Sequence, residues 1–172
     1  FLRHGLMSCI LCILVISQTN AATLVVNSSD DDVTTGNGQV TLREALIAAN
    51  TDQATDLGHL ASGSDRIEFQ LTTSTIHLQQ SLPPITSEVE IAGPSSGPLT
   101  IAGNTSFRLL QIDKDATATL SQLVLTAGRA DTGGAILNTG SLSMQSCTVS
   151  NNQDFGMEGG GGICNTGRLD MT

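Results

Sequence analysis

Asp113 and Asp115 have the spacing that could place a pair of carboxylates on one face of a strand. In an extended strand they would lie about 7 Å apart, and glycoside hydrolysis needs two carboxyl groups that face one cleft. The surrounding sequence QIDKDATA is more typical of an acidic turn between two strands. We therefore predict that this pair is structural, and we assign no catalytic residue.

The histidines and later cysteines show no pattern for a metal or a cofactor. His59 lies in a polar segment and His77 on a short predicted strand, and no metal-ligand spacing surrounds either. Neither Cys147 nor Cys164 belongs to a CxxC motif. The glycines at 159–162 precede a predicted strand, whereas a phosphate-binding loop precedes a helix. We predict no cofactor-binding residue and no metal site, with both histidines at solvated or edge positions.

Two further groups of charged residues are interpreted as structural. The acidic run at residues 30–32 is expected in a solvated turn, because the surrounding NSSDDDVTTGNG lacks the ligand spacing of an EF-hand calcium loop. Glu44 is expected to cap a helix. Arg43 beside it is expected to be a solvated or ion-paired surface residue.

The composition limits the partners of this chain. Seven Lys and Arg oppose sixteen Asp and Glu, and the net charge of -9 repels phosphate backbones and anionic lipids. Nucleic acid is therefore excluded as a partner. Aromatic residues make up 2%, with no Trp and no Tyr, so the rings that often line sugar and base sites are scarce.

Residues 1–22 have the order of a secretory signal peptide. Charge at Arg3 and His4 is followed by an apolar run that is too short to span a bilayer, and the segment ends in the small residues Ala21 and Ala22. We predict cleavage near these alanines, export of the chain, and no membrane span in the mature protein.

Cleavage would remove Cys9 and Cys12 and leave two cysteines. In an oxidising compartment Cys147 and Cys164 could form a disulfide, or each could pack unpaired as a small buried side chain. The sequence leaves both possibilities open.

One helix is predicted in the mature chain, over residues 40–50. Thr41 is a suitable N-cap and Glu44, three residues later, can close a capping box, while Asn50 is expected as the C-cap. Apolar residues at helical spacing form one stripe, comprising Leu42, Ala45, Leu46 and Ala49. Because so short a helix is unstable alone, this stripe must lie against other apolar residues.

The remaining sequence reads as short strands that repeat. GGAILNTGSLSM at residues 133–144 returns as GGICNTGRLDM at residues 161–171, with a spacing of 27. A looser copy relates residues 118–128 to residues 142–152 at a spacing of 24. Periods of this length are typical of stacked repeats, and a strand that returns at each period must lie parallel to its predecessor.

The repeat predicts an all-β fold, a right-handed parallel β-helix (solenoid) with a short N-terminal capping helix over its first coil. Glycine and asparagine are expected at the corners, where left-handed backbone angles occur. Asn138 and Asn165 are expected to stack as an amide ladder, and residues 152–162 to form a protruding loop. The predicted inward positions are Leu120, Leu123, Leu125, Ile136, Leu142, Met144, Val149, Ile163 and Leu169.

We predict a signal peptide at 1–22 and a single β-helix domain at 23–172. Within this domain the N-terminal cap would occupy about 23–65 and the coils about 66–172, and we expect the coils to continue past the last residue.

The segments TLREALIAANTD, GSDRIEFQL, LPPITSEVEIAGP and LTIAGN, followed by the GGAILNTGSLSM repeat, resemble bacterial CSLREA-domain proteins. The resemblance covers most of the mature chain and implies export and a parallel β-helix repeat region. Val40 and Thr41 stand where that family has Cys-Ser, so a disulfide from that cysteine cannot form. GGAI also resembles, more weakly, the repeats of polymorphic outer-membrane proteins, whose Phe-x-x-Asn motif is missing here.

Together these observations predict a secreted or cell-surface protein with a structural, adhesin-like role. Its expected partners are extracellular glycans or other cell-surface components. The alternative is a polysaccharide lyase or glycoside hydrolase of the parallel β-helix class, with its active site in coils beyond this fragment.

Overall fold

The computed structural model describes residues 21–156 and 159–172. The predicted signal segment, apart from its last two residues, lies outside the described residues, as do His4, Cys9 and Cys12. In the described part of the chain, one helix, α1 (Leu42–Thr51), accompanies fifteen short strands. The strands are β1 (Thr23–Val26), β2 (Ser64–Phe69), β3 (Thr75–His77), β4 (Glu88–Ala92), β5 (Leu99–Ala102), β6 (Leu110–Ile112), β7 (Thr117–Ser121), β8 (Leu123–Thr126), β9 (Arg129–Ala130), β10 (Ile136–Asn138), β11 (Ser141–Gln145), β12 (Thr148–Ser150), β13 (Gln153–Asp154), β14 (Ile163–Asn165) and β15 (Arg168–Met171).

The strands form four parallel sheets that wind as a β-solenoid. The longest sheet has six strands in the order β1-β2-β4-β7-β11-β15, and a second has four in the order β12-β8-β5-β3. Two smaller sheets, β14-β10-β6 and β13-β9, complete the cross-section. Each turn of the chain, here called a rung, therefore lays a strand beside the matching strand of the rung before it. The predicted parallel β-helix with a single short helix is confirmed.

Strand register confirms the predicted repeats. Ile136 pairs with Ile163 and Leu142 with Leu169, which is the spacing of 27. The looser repeat also aligns as expected, since Leu120 pairs with Met144 at a spacing of 24. Sequence copies thus occupy equivalent positions in successive rungs.

The core runs along the axis of the solenoid. Six of the predicted inward side chains are buried, namely Leu120, Leu123, Leu125, Ile136, Leu142 and Met144. Val149, Ile163 and Leu169 are only partly buried, although they pack against the same core. They lie in the last described rungs, so fewer residues cover them.

Helix α1 has the predicted N-cap, Thr41, and its C-cap lies two residues past the predicted one. The Thr41 hydroxyl accepts from the Glu44 N–H and the Glu44 carboxylate accepts from the Thr41 N–H, which confirms the capping box. The assignment of Asn50 as the C-cap is wrong. Asp52 holds that position in a left-handed conformation, while the Asn50 amide donates to the Pro84 carbonyl at 2.7 Å.

The buried face of α1 lies against the first two strands of the six-stranded sheet. The helix contacts β1 and β2, and its apolar stripe belongs to the same buried cluster as the core. Although the sequence grouped residues 23–65 as a cap, β1 is itself the first strand of the long sheet and pairs with β2. The chain therefore enters the solenoid before it forms the helix.

The prediction of glycine and asparagine at left-handed corners is confirmed in part, since Gly133 and Asn151 have left-handed backbones. Several left-handed corners carry other residues, among them Gln122, Ala127 and Ser146. Gly140 and Gly167 instead stand where rungs approach closely. A Cβ on Gly140 would lie 2.3 Å from the Asp113 carbonyl oxygen. Such glycines are required because adjacent rungs leave no room for a side chain.

The predicted loop at residues 152–162 is partly wrong. Its first part forms β13, which pairs with β9 through Gln153 and Arg129. Phe155, just after β13, is exposed. The Arg129 guanidinium lies over its ring, with the Arg129 Cζ atom 5.4 Å from the ring centroid. The predicted loop therefore starts no earlier than Phe155, and its residues 157 and 158 lie outside the described residues.

Candidate functional site

Asp113 and Asp115 lie in a turn, as predicted. The turn connects β6 to β7, and Asp115 has a left-handed backbone. The Gln111 amide donates to the Asp113 carboxylate at 2.7 Å. The pair is therefore placed by the turn and does not project from one strand face.

The two described histidines differ in their exposure to solvent. His77 ends β3, the edge strand of its sheet, and is exposed as predicted. His59 is half-buried in the loop after α1, so its expected solvated position is only partly correct. Among the described residues, no group of three or more His, Cys, Asp or Glu side chains could hold a metal ion.

Arg43 and Asp31 form a buried ion pair that the sequence placed at the surface. The guanidinium Nε lies 2.7 Å from Asp31 Oδ1, and the two side chains are 6% and 1% exposed. Arg43 also donates to the carbonyls of Ser81 and Gln80. The expectation of an ion pair was correct, but the surface position and the solvated turn at Asp31 were wrong. This pair joins the segment before α1, the helix and the loop after β3.

Cys147 and Cys164 are both unpaired and half-buried in the structure. Burial raises the pKa of the Cys147 thiol, and this effect outweighs hydrogen bonding to the Leu123 and Gln145 backbone. A raised pKa keeps the thiol protonated and less nucleophilic. The structure thus favours the unpaired alternative for both cysteines.

A concave surface lies on the outward face of the six-stranded sheet. Side chains from four successive strands stand in register along its floor, in the order Glu68, Ala92, Ser121 and Gln145. We call this concavity of about 560 Å³ the outer groove. It is lined by Arg66, Glu68, Phe69, Ala92, Gly93, Pro94, Ser95, Ser121, Gln122, Gln145 and Ser146. A volume of this size can admit a small organic ligand.

Charges in the outer groove gather at the end nearest the N-terminus. The Arg66 guanidinium donates to the Glu68 carboxylate at 2.6 Å and also to the carboxylate of Glu90. Its pKa is raised, first by the hydrogen bond to Glu90 and then by the bond to Glu68. All three side chains are between 37% and 46% exposed. They therefore remain accessible to a ligand while being paired with one another.

The rest of the outer groove is uncharged and polar, with one aromatic side chain. Ser121, Gln145 and Ser146 supply hydroxyl and amide groups that can both donate and accept. Phe69, at the end of β2, is half-buried, packs against the core and also lines the groove. The small side chain of Ala92 leaves space in the middle of the floor. This set of groups suits hydrogen bonding to a polar ligand beside one apolar ring.

The same sheet face carries a smaller concavity of about 270 Å³ in the last rungs. It is lined by Thr117, Ser141, Leu142, Ser143, Arg168 and Asp170. Three of these residues follow the register of the sheet, since Thr117 pairs with Ser141 and Ser141 with Arg168. The outward face is therefore polar along several rungs.

Inspection of the sequence alone did not find the outer groove. The spacing of 24 that relates residues 118–128 to residues 142–152 already places Ser121 beside Gln145. Arg66 and Glu90 share that spacing, but the step from Glu90 to Thr119 is longer. Because the period changes between these rungs, the groove residues do not align in the sequence.

In the described part of the chain, no helix is both long enough and apolar enough to cross a membrane. No protein-family model, curated protein or solved structure matches this chain.

Proposed function

We propose that this chain is an exported structural protein, secreted or held at the cell surface, that presents one outward sheet face to extracellular glycans or other cell-surface components. The observation that carries the proposal is the in-register polar face of the six-stranded sheet. Backbone pairing between rungs holds these side chains at fixed spacing. A rigid row of hydroxyl, amide and charged groups is suited to adhesion through many hydrogen bonds.

Export is supported by the sequence of residues 1–22, with its charged start, apolar centre and small residues near the end. The excess of acidic residues also suits a protein that must stay soluble outside the cell. The resemblance to CSLREA-domain proteins also supports export. These arguments support a sheet face that is exposed to the surroundings of the cell.

Two measurements on the full chain test this proposal. Expression in a bacterial host, followed by fractionation and protease treatment of intact cells, should find the protein in the medium or accessible at the surface. A glycan array should then show binding to at least one glycan. Retention in the cytoplasm, or failure to bind any glycan or any intact cell, would contradict the proposal.

A polyuronate cleavage assay on the same preparation separates adhesion from the enzymatic alternative. We expect no release of unsaturated or reducing ends. Cleavage that is lost when a groove carboxylate is replaced would establish an enzyme in place of an adhesin.

A further inference from the structure

We infer that the outer groove is a binding site for an uncharged oligosaccharide, held by the hydroxyl and amide groups of its floor and by the ring of Phe69. The inference rests on the proposed function, because it names the ligand class and the location for the glycan contact proposed above.

The floor of the outer groove offers hydrogen-bonding groups on successive rungs. Glu68, Ser121 and Gln145 project from β2, β7 and β11, and parallel strands lie about 4.8 Å apart. A linear ligand that runs along the solenoid axis therefore meets a new polar side chain at nearly every rung. Sugar hydroxyls both donate and accept, which matches the carboxylate of Glu68 and the amide of Gln145.

The charge of the outer groove favours an uncharged ligand over a uronate. Arg66 and Glu68 contribute one charge of each sign to the lining, and Glu90, which lies outside the lining, adds a second carboxylate bonded to Arg66. Arg66 is already paired with both carboxylates, so its positive charge is offset before an acidic sugar arrives. The whole chain carries a net charge of -9, which adds to the repulsion of anions.

Phe69 supplies the apolar surface that a sugar ring needs. Aromatic residues are only 2% of this chain, yet one of them lines the outer groove. Phe69 follows Glu68 at the end of β2 and both line the groove, so the lining includes part of an aromatic side chain as well as a carboxylate. This combination of one aromatic face with a few placed polar groups is typical of small-ligand sites.

The test is titration calorimetry with neutral hexose and pentose oligosaccharides, and with oligogalacturonate as the acidic probe. The wild-type chain is expected to bind a neutral oligosaccharide and to bind oligogalacturonate at least about tenfold more weakly. Gln145→Ala and Phe69→Leu should each weaken the neutral interaction by about tenfold or more. Thr119→Ala is the matched control, since Thr119 is on β7 two residues before Ser121 and does not line the groove.

The charge argument has its own test in the double variant Glu68→Gln with Glu90→Gln. Freed from both carboxylates, Arg66 gives the groove a positive charge, so affinity for oligogalacturonate should rise by about tenfold or more. Thermal unfolding checks that each variant is folded, and the exposed position of Gln145 makes Gln145→Ala the safest of them.

Failure of this inference can be distinguished from failure of the proposed function. If the wild type binds glycans but Gln145→Ala and Thr119→Ala bind equally well, the groove is not the site, and the adhesive role stands. If the wild type prefers oligogalacturonate, the assigned ligand class is wrong. If no glycan and no cell is bound, both the proposed function and the inference are wrong.

Discussion

Asn138 shows how one polar side chain joins two rungs of the solenoid. Its side chain is fully buried, and its amide donates to Asn165 Oδ1 at 2.6 Å and to the Arg168 carbonyl at 2.7 Å. Its own oxygen accepts from the Gly140 N–H at 3.1 Å. Three hydrogen bonds thus offset the cost of burying the amide.

Replacement of Asn138 by alanine should lower the free energy of unfolding by about 1–3 kcal/mol or more, because buried partners lose their hydrogen bonds. Urea unfolding followed by circular dichroism measures the change. Asn165→Ala is the control, since Asn165 stacks on Asn138 but is exposed, and it should cost less. Equal losses for the two variants would contradict the role assigned to burial.

The raised pKa of the Asp65 carboxyl makes the stability of the folded protein depend on pH. Its side chain is buried beside β1, and burial raises its pKa more strongly than hydrogen bonds from the Ser62 and Ala22 backbone lower it, with Asp52 adding to the rise. The folded protein therefore holds this proton more tightly than the unfolded chain. Its contribution to stability is largest below the ordinary pKa of aspartate and is lost as the pH rises through the folded pKa.

Asp65→Asn removes this titration. As the pH rises from the ordinary pKa of aspartate through the folded pKa of Asp65, the wild type should lose unfolding free energy relative to the variant. Urea unfolding at a series of pH values measures the difference. Asp170→Asn is the control, because Asp170 is exposed on the last strand. A difference that stays constant with pH for Asp65→Asn would show that burial of this carboxyl has no such effect.

Among the elements, glycines determine how closely rungs approach. Gly140 precedes β11, and a Cβ there would lie 2.3 Å from the carbonyl oxygen of Asp113 and 2.5 Å from that of Ala116. Both atoms belong to the backbone of the preceding rung, so they cannot move aside without displacing a strand. Gly140→Ala should therefore destabilise the protein by about 1–3 kcal/mol or more, as measured by its unfolding free energy.

Gly161→Ala provides the matched control. The nearest atom to a Cβ at Gly161 would be the Asn152 carbonyl oxygen at 3.5 Å, an ordinary contact. This substitution should change the unfolding free energy by less than about 1 kcal/mol. Alanine restricts the backbone of the unfolded chain more than glycine does, and this effect favours the folded state. A larger loss at Gly161 than at Gly140 would contradict the steric explanation.

The ion pair of Arg43 and Asp31 joins three elements, and its loss should be costly. Arg43→Leu leaves the Asp31 carboxylate buried without its guanidinium, so we expect a loss of about 3–5 kcal/mol in unfolding free energy. In Arg66→Leu, the exposed pairs with Glu68 and Glu90 are lost instead, and the expected cost is below about 1 kcal/mol. Thermal and urea unfolding compare the two variants, and similar costs would show that burial does not strengthen the Arg43 pair.

Element types were more predictable than their ends and surroundings. The capping box at Thr41 and Glu44 depends on residues three positions apart, so the start of α1 could be identified locally. Its end at Asp52 depends on Asn50 bonding to Pro84, far along the chain. The burial of Asp31 likewise depends on a loop nearly fifty residues away. Local patterns do not contain such long-range contacts.

For the whole molecule, the repeat period was sufficient to predict the fold. Ile136 and Ile163, with Leu142 and Leu169, fall in register because similar sequences recur at a spacing of 27 residues. The outer groove was not predicted because it combines residues from rungs of unequal length. A surface site on a solenoid depends on how outward side chains of neighbouring rungs align. The repeat of core residues in the sequence indicates that alignment only for rungs of equal length.

Stability should decrease toward the last described rung. Leu142 in β11 is 2% exposed, whereas Leu169 in β15 is only partly buried and β15 pairs with one strand of the described chain. In the chain of residues 1–172, amide protons of β14 and β15 should exchange about tenfold faster or more than those of β10 and β11. Hydrogen exchange followed by mass spectrometry measures this, and uniform protection would contradict a stack whose rungs depend on their neighbours.

The parallel pairing between rungs also determines how the molecule would respond to mechanical force. Hydrogen bonds between rungs lie roughly along the solenoid axis, so tension on the C-terminal end loads the bonds of the outermost rung before those of any other. From β2 onward, successive rungs of the six-stranded sheet are 24 to 29 residues apart, and each one that detaches releases about 80–105 Å of extended chain. Under tension between a cell and a surface, such a molecule lengthens in steps and dissipates work at each step, while the remaining rungs keep their shape.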